Sequence, residues 1–569
     1  MKGAEKSPDE STPVTLSPGH LVTLSPRVGG LALVALALWL TADQEVVALE
    51  SPHDDQFFLQ RAACGYWFDQ DYTHMSFIKE PIYPLFAWLC YCLGISLRMA
   101  TEVIYLASAG FFSWSLVRRR SCGWVGLLVF AACVLHPMRF AVFRQTTSDA
   151  LYPSLLLLTL ATLLLQIQDG LVRSPAFRRY DVMPPEGGTT NNWRRGLFSG
   201  LALGLLWNAR PERPLAALLL LFFLVAGLCQ ARRRAATWGS TLKGWLAEWA
   251  LPPVGLATVT LAVMVANQVR FGVFATTDMS APGYSSAYRA LVGIEPERPL
   301  RFVPVTRAAR RQAYAVSPTF RQLEPFLEGN LGEMYVSFGQ EISGLAPGEI
   351  AGGWFCWVLR DAAAAAGHCK SAADAEAFYR QIAEELHAAA AEGRLRMRAV
   401  PPFGVDPCAA NYLPHLPASI AKLLAKCWST DEPPPLADHP TAIREFFDHV
   451  AHRRPVPGSP TAQAYVRSWL WSLYGPILSI VLLTGGLLAA VVLLRRGTPE
   501  RGWYFLAAAA LALAAFSRIG LFALIDASAF PGNAFRYLFP SALLLSLLAV
   551  WLSVEGLRLF KTGPRLDIR

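Results

Sequence analysis

Charge is scarce in this chain. Asp, Glu, Lys and Arg make up only 16% of its 569 residues, against about 25% in ordinary soluble chains. That is too little to coat the several soluble domains the length alone would suggest. Ten cysteines occur without one Cys-x-x-Cys, which argues against a zinc or redox framework. The 42 glycines keep no three-residue period, which excludes a collagen-like rod. Apolar runs dominate, which excludes a disordered chain or a coiled coil. What is present instead is 53% hydrophobic residues and a mean hydropathy of +0.32. Much of the surface must face lipid.

The net charge is +9, yet no nucleic-acid motif accompanies it. The bases cluster beside apolar runs: Arg118–Arg120, Arg194-Arg195, Arg232–Arg234 and Arg495-Arg496. That is the pattern of cytoplasmic loops flanking membrane helices. Residues 1–27 are polar, rich in Ser and Pro, and repeat VTLSP at 14–18 and 22–26; they read as a disordered cytoplasmic tail. Val28–Leu49 reads as an uncleaved first span. Further spans are expected at 98–117, 122–140, 150–168, 196–209, 214–230, 251–269, 468–494, 503–525 and 535–557, near the length of about 20 residues that crosses hydrocarbon.

Pro81–Leu97 is ambiguous by length, and charge arbitrates. If it crosses, three Arg clusters fall outside. If it lies along the outer interface, all four clusters and the Lys561/Arg565/Arg569 tail fall inside. The second arrangement is adopted: an all-α polytopic membrane protein of about ten transmembrane helices, with both termini cytoplasmic. Its expected divisions are the tail 1–27, a membrane module 28–270 with an exterior loop 50–97, a mainly helical exterior domain 271–467, and C-terminal membrane helices 468–569. Within the exterior domain Ser371 and Asp374 signal a helix from Ala372 to Glu392, stopped by Gly393. Residues 275–288 read as a polar loop.

This topology gathers polar residues on one face. Asp54 and Asp55 follow the first span; one of them can serve as a base for an acceptor hydroxyl, or can simply cap the next helix. Lys79 and Glu80 close the same loop before two prolines, where Lys79 can meet a phosphate as a point charge or merely snorkel. His136, Arg139, Arg144, Asp149 and Tyr152 lie at the next exterior return. Charges at that depth need partners: a ligand, or an Arg–Asp pair holding two helices. Arg210, Glu212 and Arg213 form a second polar knot, and Arg536 and Tyr537 open the last span. Arg518 lies inside the preceding span, with no acid near it in sequence; its partner is an anionic ligand or a distant carboxylate.

These elements resemble the GT-C superfamily of membrane glycosyltransferases, of the protein O-mannosyltransferase and lipid A aminoarabinose transferase type. The matching elements are Asp54-Asp55 after the first span, Lys79-Glu80-Pro81 closing the first exterior loop, Arg144 with Asp149 at the next return, and the NARPE turn at 208–212. The resemblance covers about residues 28–270. The adjacent Asp pair and the wide Arg144–Asp149 spacing depart from the family pattern, and 271–467 aligns with nothing.

The resemblance implies a polyprenyl-phosphate sugar donor, transfer with inversion to an unidentified acceptor hydroxyl, and a site facing the periplasm from a bacterial inner membrane. It implies Asp54, Asp55 and Asp149 as the catalytic acids, with Asp54 favoured as the base. Lys79, Arg144, Arg210 and Arg536 would bind the donor phosphate, and Glu80, Tyr152 and Glu212 the substrates. A phosphate leaving group needs no protonation, so one base suffices, unlike the paired acids of glycosidases. A divalent cation is the one cofactor in question: Asp54, Asp149 and Glu212 offer the oxygens a hard ion takes, while Lys and Arg beside them can do the electrostatic work. The expectation is no metal. Cys356–Cys369 and Cys408–Cys427 are sequence-near disulfide candidates for an oxidising exterior. The competing reading is a transporter or flippase of a lipid-linked anion, which would use the same arginines and no base. Such proteins favour inverted repeats around a midplane site, and no repeat between halves is visible here.

Overall fold

The computed structural model describes residues 25–48, 55–68, 72–118, 123–172, 192–235, 237–343, 348–400, 406–429, 443–452, 461–495, 500–532 and 535–562. Among them the chain is helical, with no strand; its only β-type pairings are isolated bridges at Val47–Gln145 and Ile294–Met397.

Each of the ten apolar segments forms a helix. Seven are long and apolar enough to cross a membrane: Leu97–Val117, Ser148–Gln168, Arg213–Arg234, Leu251–Phe271, Ala462–Leu494, Arg501–Ser528 and Phe535–Lys561. Three are shorter. Pro26–Thr41 and Asn192–Trp207 have 16 residues each, about 24 Å at 1.5 Å per residue, against a hydrocarbon core of about 30 Å. The expected 122–140 span breaks at Val134. Pro137 has no N–H to donate and biases His136 away from helical geometry, so a separate short helix, Met138–Val142, follows. Ile82–Leu93, the interfacial candidate, has 12 residues and ends at Gly94 with φ +62°.

Apolar side chains from most of these helices form one large core. The Asn192–Trp207 and Leu251–Phe271 helices cross at nearly bare backbone: a Cβ on Gly200 would stand 2.5 Å from the Pro252 carbonyl, and one on Gly255 2.8 Å from Gly200. Small residues permit such an approach.

A closed ionic group lies in this half. Glu102 accepts from Arg98 Nη1 at 2.8 Å, one helical turn away, and from Arg139 on its other oxygen. Arg98 Nη2 donates to Gln44 at 3.0 Å and Arg139 Nε to the Val134 carbonyl at 2.6 Å. Arg98, Glu102 and Arg139 are all buried. Beside this group, Arg467 donates through both terminal nitrogens to Asp43, tying the start of the Ala462–Leu494 helix to the end of the first one.

Among its described residues the 271–467 region is mainly helical, and the polar stretch 275–288 departs from a loop. Thr277 and Ser280 form a capping box around a single 3-10 turn, and Pro282 then starts a helix to Gly293. Glu376 accepts from the Gly283 and Tyr284 N–H groups of that helix, satisfying donors its first turn leaves free. The Ala372–Ala391 helix has Ser371 as its N-cap, accepting from the Asp374 N–H at 3.1 Å. Helices between residues 282 and 395 share their own core. The Leu416–Cys427 helix leaves that core: Leu423 and Cys427 pack fully buried among the membrane-type helices, and Ser419 and Lys422 bond Asp526 at 2.7 and 2.9 Å.

Both disulfide candidates are overturned: Cys356, Cys369, Cys408 and Cys427 are free thiols. Cys427 is turned into the apolar core, while Cys408 caps the separate Ala409–Tyr412 helix.

Candidate active site

Four stretches of chain meet around Arg210. It lies in the turn between the Asn192–Trp207 and Arg213–Arg234 helices. Asn208 anchors that turn, donating to the Gly204 carbonyl at 2.8 Å and to Thr260 at 3.2 Å. The Arg210 guanidinium pairs with Asp149 through Nη1 and with Glu212 through Nε at 2.9 Å. Asp149 stands in the first turn of the Ser148–Val172 helix and also accepts from Thr147 at 3.2 Å. Arg518 grips Glu212 with two hydrogen bonds of 2.6 Å and donates to the Tyr537 carbonyl. The Tyr152 ring faces both guanidinium groups, 5.8 Å from that of Arg210 and 5.4 Å from that of Arg518.

All four charged groups are buried, and they balance: two arginines against two carboxylates. A buried guanidinium without such partners would be very costly. Arg518 thus finds a distant carboxylate. Burial would raise the Glu212 carboxyl, but Arg518 and Arg210 outweigh it and hold it below its ordinary range.

Beside this quartet lie half-buried cations. Arg213 donates to Thr276 at 2.6 Å. Arg536 donates to the Tyr537 hydroxyl at 3.0 Å and lies 4.9 Å from that ring's centre. Glu80 lies buried close by: desolvation pushes its carboxyl up, against the pull of Arg213 and, more weakly, of Lys79 and Arg210. The Lys79-Glu80 loop therefore borders the knot.

Local geometry sets that loop. Gly65 and Tyr66 both adopt left-handed backbone, φ 56° and 62°, and the turn lets the Tyr66 hydroxyl donate to the Lys79 carbonyl at 2.5 Å. The Lys79 ammonium lies 5.2 Å from the Phe58 ring and 5.2 Å from the Trp357 ring. Phe58 shares a helix face with Asp55, three residues earlier. Asp55 is fully buried and begins the Asp55–Ala63 helix. Asp54 lies outside the described residues.

The structure therefore unites Asp149, Tyr152, Arg210, Glu212 and Arg536, with Lys79 and Glu80 alongside. Arg144 stands elsewhere: its Nε donates to the Glu45 carbonyl at 3.1 Å, and Arg467, Asp43 and Glu45 are among the charges that act on it. Sequence reading missed Trp357 and the Arg518–Glu212 pair, whose members are 306 positions apart; no local signal could join them. Among the described residues no three His, Cys, Asp or Glu side chains stand together as a metal site.

No known family's sequence profile matches the chain, and no curated protein does. Among solved structures it is similar to ArnT from Cupriavidus metallidurans bound to undecaprenyl phosphate, with 14% identity and a TM-score of 0.32 over 94% of this chain and 78% of that one. The apo form of the same protein gives 14% and 0.33 over 92% and 76%.

Proposed function

We propose that the chain is a membrane glycosyltransferase of the GT-C type. It moves a sugar from a polyprenyl-phosphate donor to an acceptor hydroxyl on the exterior side, inverting the anomeric carbon. The observation that carries this reading is the charge-balanced quartet of Asp149, Arg210, Glu212 and Arg518, bordered by the half-buried cations Lys79, Arg213 and Arg536.

The chemistry suits that arrangement. The acceptor oxygen bonds to the anomeric carbon as the bond from that carbon to the phosphate oxygen breaks. The electron pair leaves with the phosphate, whose charge grows by one unit. Lys79, Arg213 and Arg536 are assigned to meet that charge, and fixed cations need no reorganisation to do so. The acceptor proton passes to a carboxylate; Asp55, or Asp54 beside it, takes that part. Arg210 is already shared by Asp149 and Glu212, so it holds the rim in place. Arg144 is left out of this reading.

Membranes carrying the full chain, supplied with a radiolabelled undecaprenyl-phosphate sugar, test it. Asp55→Asn or Asp54→Asn is expected to lower transfer by about 10²–10⁴-fold with undecaprenyl phosphate binding intact. Full transfer in both variants removes the mechanism.

A further inference from the structure

Three glutamines mark the membrane boundary opposite the candidate site. Gln168 donates to the Ser115 carbonyl at 2.8 Å, Gln230 to the Ile167 carbonyl at 3.1 Å and Gln166 to the Glu248 carbonyl at 2.5 Å. These bonds bring the C-terminal ends of the Leu97–Val117, Ser148–Val172 and Arg213–Arg234 helices to one level. Asp149 and Gln168 stand near the two ends of a single helix, about 28 Å apart at 1.5 Å per residue, close to the hydrocarbon thickness of about 30 Å. Arg210 and its partners therefore lie at one membrane surface, and this level lies at the other.

The Trp238–Trp249 helix lies at that level. Its 12 residues span about 18 Å, too short to cross. Thr237 and Ser240 form a capping box at its start, and it ends at Ala250; Pro252 and Pro253, which have no N–H, open the Leu251–Phe271 helix that follows. Helical spacing gives it three faces. Thr241, Trp245 and Trp249 face the protein: Trp249 is buried in the large core, and Trp245 donates to the Leu224 carbonyl at 2.9 Å. Trp238, Leu242 and Leu246 form an exposed apolar stripe beside them. The flanking membrane-type helices expose Val225 and Val254 within about three turns of their joints to it, so the stripe adjoins a lipid-facing surface. Ser240, Lys243 and Ala247 make the third face, also exposed.

The charge of this stretch has one sign. Between residues 231 and 250 stand Arg232, Arg233, Arg234 and Lys243 against a single acid, Glu248. Arg234 takes that acid at 3.2 Å. Arg232, Arg233 and Lys243 are exposed and form no ion pair among the described residues, and the Arg232 guanidinium lies 5.1 Å from the Trp238 ring centre. Two more exposed tryptophans stand beside cations at this level: Trp114 with Arg118 at 5.2 Å, and Trp193 with Arg194 at 5.4 Å. Trp193 belongs here because a Cβ on Gly196, one turn on, would stand 2.9 Å from Leu251. Tryptophan seats at the headgroup level, and cations beside an apolar stripe favour anionic over zwitterionic lipid.

We propose that the Trp238–Trp249 helix is a binding site for anionic phospholipid. It lies in the interface of the leaflet opposite the candidate site, with its stripe among acyl chains, and Arg232, Arg233 and Lys243 hold the lipid phosphates. This site does not depend on the transferase reading.

The test is native mass spectrometry of the full chain released from nanodiscs of equal phosphatidylcholine and phosphatidylglycerol, which reads retained lipids and the number of copies together. The unaltered chain is expected to retain phosphatidylglycerol over phosphatidylcholine by roughly fivefold or more. Arg232→Gln, Arg233→Gln and Lys243→Gln combined should bring the two lipids within about twofold of each other. Arg289→Gln, Arg298→Gln and Arg311→Gln combined, which remove the same charge from exposed positions of the 271–467 region, should leave the preference in place. No preference in the unaltered chain, no change in the first triple variant, or an equal loss in the second overturns the proposal. Arg232→Lys with Arg233→Lys decides the case in which the first triple variant is unstable: preference kept upholds the site, and preference lost overturns it. A dimer that Leu242→Gln with Leu246→Gln turns into a monomer would assign the stripe to a second copy, which also overturns it. So does a parallel loss of undecaprenyl phosphate binding in the first triple variant, which would put these cations in the donor site. If undecaprenyl phosphate does not bind the unaltered chain while phosphatidylglycerol behaves as expected, the transferase reading fails and the lipid site stands.

Discussion

Two buried ionic groups among the described membrane-type helices are built from the same chemistry and differ in reach and edge. The Glu102 group has the shorter reach: Gln44, Arg98, Glu102 and Arg139 come from three segments between residues 44 and 139, and two of them share a helix. Its charged members are sealed from solvent. The Arg210 group collects residues from position 149 to 537, and its margin carries the partly accessible Lys79, Arg213 and Arg536. A sealed group can hold helices together. A group with a cationic margin can do that and also receive an anion. Burial of charge alone therefore does not mark a site; the excess of one sign at an accessible edge does.

The strongest way to break this comparison is Glu102→Gln. It strands Arg98 and Arg139 and is expected to cost about 3–5 kcal/mol, read as a fall in thermal stability in detergent. Undecaprenyl phosphate binding per folded molecule should not change; if it falls while stability holds, the two groups are not distinct in role. Next comes Arg536→Gln, which removes one of the cations proposed to meet the phosphate. Affinity for undecaprenyl phosphate should drop by roughly 10–100-fold, the equivalent of about 1.5–3 kcal/mol, with little change in melting temperature. Trp357→Leu removes one aromatic face from the Lys79 ammonium, a loss of about 0.5–2 kcal/mol. Titration with undecaprenyl phosphate should show a few-fold weakening, largely restored by Trp357→Phe.

The smallest effect is in pH. A carboxyl held below its ordinary value contributes stability above that value and loses it as pH falls through the folded-state value. Glu212 is such a group, with an ordinary value of 4.5. Glu212→Gln should therefore lower the melting temperature clearly at neutral pH and by less at pH 4. Glu80, pushed up by its burial, works in the opposite direction. An equal deficit at both pH values would mean that Glu212 is not held ionised by its arginines.

Hydropathy made the helices legible, because apolar runs near span length have few other uses; Leu251–Phe271 falls within two residues of its expected bounds. It did not foresee the break after Val134, although Pro137 announced it. The charged cluster was legible in membership: Asp149, Arg210, Glu212 and Arg536 stood out as charges in apolar company, and the structure unites them. Its wiring was not. Arg144 looked equivalent to Arg210, yet Val47 and Gln145 pair in a bridge that holds Arg144 beside Glu45. Trp357 was invisible because an aromatic residue in a soluble-looking stretch has no reason to point at a lysine far earlier in the chain.

The Leu416–Cys427 helix has a practical consequence. It belongs by position to the 271–467 region, yet Leu423 and Cys427 fill the interior of the other half and Lys422 meets Asp526. A truncation at residues 271 and 467 would take Trp357 from the Lys79 ammonium and also pull a plug from the wall beside Arg518, opening greasy helix flanks to detergent. Any minimal fragment intended to keep activity must carry that helix along.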